Sequence, residues 1–153
     1  MSTSTTAAGP LPAKTLTTGA PARQLIILAA AAASVAITAA YAHAHPGAAA
    51  DPALTRLLRA MAAIKMLLAA FAGAAVLWRL ASPASPAWLA AYAAAIASTA
   101  AGPALIWNLS HIGIGALLLH CGLLATILLL WRDPVTAARL EQAIAARRLA
   151  LIR

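Results

Sequence analysis

Four histidines, one lysine inside an apolar run and a single cysteine are the residues of this chain whose chemistry could go beyond packing. His43 and His45 close one apolar stretch and His111 stands near the start of another. Three imidazoles therefore converge on one end of the molecule if the chain crosses back and forth. Imidazole is the commonest metal ligand and an axial ligand of haem. Three readings stay open: haem b held by His111 with His43 or His45, a metal ion such as copper at His43 and His45, or interfacial histidines with no cofactor. Gly115, Gly122 and Ala125 lie near the His111 face and would leave room for a flat macrocycle, but small residues are equally the packing surface of membrane helices. His111 and His120 are nine residues apart, and nine steps of about 100° put them on opposite faces of one helix. They cannot serve one stack of haems.

Lys65 and His120 form the second candidate group. At about 1.5 Å per residue, Lys65 lies about 20 Å along its helix from Trp78, and His120 about 17 Å from Trp131. Both depths are near the middle of a bilayer, where an ionisable group costs at least roughly 2.5–3.5 kcal/mol and seeks the bundle interior and a partner. An intramembrane polar pair is expected, either as an interhelical hydrogen bond or as part of a proton or ion pathway. Cys121, beside His120, reads as a small buried hydrophobe; as the only cysteine, it excludes an intramolecular disulfide and a cysteine-based zinc cluster.

The acids are Asp51, Asp133 and Glu141, all outside the apolar runs. Paired-carboxylate catalysis and metal-assisted hydrolysis are therefore not expected. Nor does a phosphate-cradling glycine loop or a nucleophile elbow appear, so the chain reads as a non-enzymatic protein.

These residues must be positioned by helices in a bilayer. Hydrophobic residues make up 63% of the 153 residues and charged ones 9%, far from the roughly 25% charge of soluble domains. The formal charge of +8 flanks apolar runs, which points to lipid headgroups and not to nucleic acid. The expected fold is all-α, a polytopic four-transmembrane-helix bundle with a C-terminal amphipathic helix. Residues 1–22, rich in Ser, Thr, Pro and Gly, read as a disordered tail. The transmembrane domain is 23–131, with spans at about 24–45, 55–79, 83–101 and 103–131. Residues 132–153 read as a basic amphipathic helix on the membrane surface.

Two boundaries need comment. Ser82-Pro83-Ala84-Ser85-Pro86 supplies a serine cap before a proline that needs no amide donor. The long apolar stretch from Trp88 to Trp131 must hold two spans; Gly102-Pro103 is the preferred turn, as a glycine cap followed by a helix-starting proline, with Asn108-Leu109-Ser110 the alternative. All four tryptophans then fall near span ends, as aromatic belts require. Ala40-Tyr41-Ala42 also has the small-x-small form of a signal-peptidase site, and cleavage there would leave three spans.

Nine arginines against two lysines and an alanine-dominated chain suggest a GC-rich bacterial genome and an inner-membrane address. The basic segments at both termini place them in the cytoplasm, although Arg56 and Arg59 then sit across the membrane. The expected role is an accessory or assembly subunit, packing through small-residue faces such as Gly113, Ala116 and Gly73 against other membrane subunits or as a homo-oligomer. The alternatives are a haem b or copper redox protein and a small transporter.

Overall fold

Proline opens most of the helices. It stands at the first or second position of α1 (Ala20–Ala44), α2 (Pro52–Leu80) and α3 (Pro86–Trp107), and at the head of α5 (Pro134–Leu151). The missing amide hydrogen costs nothing in a first turn. The remaining helix, α4 (Ile112–Arg132), follows a tight turn instead. The computed structural model describes residues 19–45 and 51–151, with side chains up to 145. The expected tail over 1–22 thus lies mostly outside the described residues; its last residues, from Ala20, already belong to α1.

Helices α1 to α4 are each long and apolar enough to cross a membrane, about 30 Å of hydrocarbon at 1.5 Å per residue. The chain is an all-α, four-span, multi-pass membrane protein. No strand occurs among the described residues.

α3 is the central helix, packing against α1, α2 and α4. Half of its most apolar stretch is buried, against 11% for α1 and α2 and 22% for α4. Alanine, glycine and threonine make this possible by letting backbones approach. At Gly102 a Cβ would meet Gly115 O at 2.5 Å, and at Gly115 one would meet Gly102 O at 2.7 Å. The hydroxyls of Thr99 and Thr126 donate to Ala95 O and Gly122 O on their own helices. The α3–α4 seam therefore holds polar atoms that are already satisfied.

Ser85 caps α3 as expected, its hydroxyl accepting from the Trp88 amide, and Pro86 follows it. The preferred turn at Gly102-Pro103 is not what forms. α3 continues through Pro103 to Trp107, and the chain turns at Asn108–His111. Gly102 serves the close approach of α4 and has no positive φ. The helix instead ends in a Schellman motif: Ser110 N donates to Leu105 O at 3.1 Å, Leu109 N donates to Ile106 O at 3.0 Å, and Leu109 takes φ 57°. Leucine occupies the left-handed position that usually calls for glycine. His111, expected inside a helix, is the left-handed N-cap of α4 with φ 48° and ψ 50°.

The tryptophans do mark the ends: Trp78 and Trp131 close α2 and α4, Trp88 opens α3 and Trp107 closes it. One end of the bundle carries Arg23, Arg79 and Arg139, the other Tyr41, His45 and His111; they are called the basic and histidine ends below. α5 leaves the basic end with Leu140 and Ile144 exposed.

Candidate functional site

At the histidine end, α1 places Tyr41 and His45 one turn apart, and the α3–α4 turn brings His111 to them. The Tyr41 hydroxyl lies 3.1 Å from His111 Nε2. The Tyr41 ring stacks on His45 at 4.4 Å and lies 5.6 Å from His111. His45 Nδ1 is 3.1 Å from Tyr41 O, which assigns a hydrogen to that nitrogen because a carbonyl only accepts. His43, two residues from Tyr41, is exposed on another side of α1. So the structure joins His45 and His111 through Tyr41, and leaves His43 out.

Two left-handed, non-glycine residues in one four-residue turn cost on the order of 1–3 kcal/mol each. Between them Ser110 is buried, and its hydroxyl has no hydrogen-bond partner among the described residues. Nearby, the Arg59 guanidinium lies 5.8 Å from the Trp107 ring centre. Tyr41 engages His111 Nε2 and its carbonyl engages His45 Nδ1, which leaves His45 Nε2 and His111 Nδ1 as the open ring nitrogens of the cluster. No group of three or more metal-binding side chains comes together among the described residues. As arranged, these residues form an imidazole–phenol cluster.

No hydrogen bond joins Lys65 to His120 among the described residues. Lys65 shares the inward face of α2 with Ala62, Ala69 and Val76 and is half-buried, with no hydrogen bond or ion pair among the described residues. His120 faces outward, opposite Gly115, Leu119, Gly122 and Thr126. Its Nδ1 lies 2.6 Å from Ala116 O, one turn back on the same helix. Cys121, expected to be buried, is exposed beside it. An apolar cleft of about 390 Å³ opens between α1 and α2 over α3, lined by Ala31, Val35, Met66, Ala70, Gly73 and Pro103 among others, with Lys65 outside its lining.

At the basic end lies a polar cluster that was not anticipated. Arg79 and Asp133 are each 2% exposed and form an ion pair, bidentate because Arg79 Nη2 also donates to Asp133 Oδ1 at 3.0 Å. Tyr92, fully buried, donates its hydroxyl to Asp133 Oδ2 at 3.1 Å. The Val135 amide donates to Oδ1 at 3.0 Å, so the same carboxylate caps α5. Burial opposes the charge on Asp133, but hydrogen bonds from Arg79 and Val135, the Arg79 charge and the Tyr92 hydroxyl outweigh it and hold the carboxyl below the usual carboxylate range. Around this centre, Arg23 donates to Leu80 O, Gln24 to Leu77 O and Arg139 to Trp78 O. Three helix C-terminal carbonyls thus gain side-chain donors where the macrodipole favours cations. The sequence signal was there: Asp133 is a lone acid between Arg132 and Pro134, at the edge of an apolar run that holds no counter-charge.

This cluster ties α1, α2, α3, α4 and α5 together, whereas the histidine cluster joins only α1 to the α3–α4 turn. The first locks the bundle. Comparison of the chain with known protein families, curated proteins and solved structures finds no match.

Proposed function

We propose that this protein is a non-enzymatic inner-membrane subunit, an accessory or assembly component that works by packing against helices of a larger membrane complex. Lys65 carries this reading. Its backbone lies near mid-bilayer depth, about 20 Å along α2 from Trp78, and its ammonium group has no acceptor among the described residues. An unpaired charge there is costly, and the same helix also lines, from Met66 to Leu77, a cleft of small and apolar residues. Gly73 lines that cleft, and a Cβ added to it would meet nothing within 4 Å. A partner helix bringing a carboxylate or a polar acceptor to Lys65 neutralises the charge.

Gentle solubilisation of native membranes, followed by native electrophoresis and identification of co-migrating subunits, tests this. The wild-type chain is expected in an assembly with other subunits, Lys65→Met largely free of it, and Lys65→Arg retained. A wild-type chain with no co-migrating subunit, or a Lys65→Met chain still fully assembled, would overturn the reading.

The left-handed His111 and Leu109 favour one second reading, a haem or copper redox protein built on His111 with His43 or His45, since strained turns gather at binding sites. Ligation through His111 Nε2 requires Tyr41 to release that nitrogen. A Soret band in protein purified from its native membrane, abolished by His111→Ala, is its expected signature; a colourless, metal-free preparation would refute it. The transport reading, which needs Lys65 and His120 on one path, draws no support from an outward-facing His120.

A further inference from the structure

The outward face of α4 repeats with spacings of four, three, four, three and four residues: Gly113, Leu117, His120, Leu124, Ile127 and Trp131. All six are exposed, with Leu117 at 63% and Leu124 at 61%. This is the seam pattern of a left-handed coiled coil, in which apolar residues recur every 3.5 residues. Lipid alone would satisfy the leucines. It cannot satisfy His120.

His120 sits in the middle of that seam, about 17 Å along the helix from Trp131. The imidazole is too short to reach an interface from there. Ala116 O accepts from Nδ1, and in the neutral ring this leaves Nε2 as a bare acceptor. Hydrocarbon offers no donor, and a polar group left unsatisfied in the membrane core is unfavourable. Whatever covers the seam must bring a donor to this depth.

We infer that the cover is a second copy of this chain, with the two α4 helices pairing in parallel through this seam. Copies inserted the same way present α4 in the same direction and His120 at the same depth, so the register requires no further element. In knobs-into-holes packing each seam residue enters a hole of four facing residues; for His120 these are Leu117, His120, Cys121 and Leu124 of the second copy. Two neutral His120 rings, both acceptors at Nε2, do not pair with each other. The Cys121 thiol, exposed beside the seam, is the donor within the hole. Symmetry makes the bond reciprocal. Gly113 has open space around it and lets the two backbones approach near the histidine end, while one polar position in an otherwise apolar seam fixes register and partner number. The pairing uses a face of α4, away from Lys65 on α2, and does not depend on it.

Disulfide scanning in intact membranes provides the test. In a Cys121→Ser background, where a hydroxyl keeps the donor, Leu117→Cys and Leu124→Cys are each expected to oxidise to a species of twice the chain mass. Leu67→Cys, equally exposed at 61% on α2, is not. In the same background His120→Leu should reduce cross-linking at Leu117→Cys roughly fivefold, as expected for losing two interhelical hydrogen bonds, without changing the amount of inserted protein. The dimer should persist in Lys65→Met. Absence of seam cross-links, equal cross-linking at Leu67→Cys, cross-links only to a protein of another mass, or indifference to His120→Leu would each overturn the proposal.

Discussion

Asp133→Ala is expected to lower the stability of the bundle by about 3–5 kcal/mol, because it strands the buried Arg79 charge with no counter-ion. The residue is small and lies outside the spans, yet it holds α2 through Arg79, α3 through Tyr92 and the first turn of α5 through the Val135 amide. The remaining partners of Arg79 are the carbonyls of Ser82 and Pro83 at 3.4 and 3.3 Å, which cannot neutralise it. Denaturation of purified protein by increasing SDS, followed by circular dichroism, reads the loss as an earlier midpoint. The pair itself need not be strongly stabilising. Replacing both partners, Arg79→Met with Asp133→Leu, should cost less than Asp133→Ala alone, since no uncompensated charge remains. Equal or greater loss in the double variant would show that the carboxylate acts through its cap on α5 and not through charge.

The same carboxylate sets a pH dependence whose sign is fixed. Its folded-state pKa is depressed, so its contribution is present above the unfolded carboxylate value of about 3.9 and is lost as pH falls through the lower folded value. The midpoint of unfolding should therefore drop on acidification below about pH 4. Asp133→Asn, already destabilised, should lack that component of the drop. An identical acid profile in Asp133→Asn would remove the linkage.

The spans were legible because each is a long apolar run bounded by proline, tryptophan or arginine, and length in a bilayer is set by physics that needs no tertiary knowledge. Ser85-Pro86 was legible for a similar reason, since capping is local. Gly102-Pro103 misled because glycine before proline has a strong local meaning, whereas Gly102 answers to Gly115 across the α3–α4 seam. The real stop at Leu109 lacks the glycine that usually announces it. Depth could be counted for Lys65 and His120, but the faces could not be matched without knowing which side of α4 meets α3. Gly115, Leu119, Gly122 and Thr126 mark that side, and their spacing, followed before the histidines, would have turned His120 outward. The Arg79–Asp133–Tyr92 cluster joins residues 41 to 54 positions apart, beyond the reach of periodicity.

Gly122→Ala carries the other large expected effect, and it separates close packing from mere helix propensity. A Cβ at Gly122 would collide with Thr99 Oγ1 and come within 2.6 Å of Thr99 N and 2.9 Å of Ala95 O. Two of these three are backbone atoms of α3, so no rotamer change relieves them; the helices must part. Overpacking of this kind costs about 1–3 kcal/mol or more, against the gain of roughly 0.5–1 kcal/mol that alanine brings to a helix interior. Gly73→Ala has the gain without the collision, since nothing lies within 4 Å of its Cβ, and should be neutral or slightly stabilising in the purified chain. Opposite signs for the two substitutions in the same SDS titration are the expected result. A neutral or stabilising Gly122→Ala would mean that α3 and α4 do not approach this closely. A further consequence follows from Gly102 and Gly115, whose added Cβ atoms would each strike the other's carbonyl. Alanine at either one already forces the seam open there, so the second alanine should cost less than the first. Their combined loss should fall short of the sum, as it does for residues sharing one contact, whereas Gly102→Ala combined with Asp133→Ala, at a separate contact, should come closer to additive.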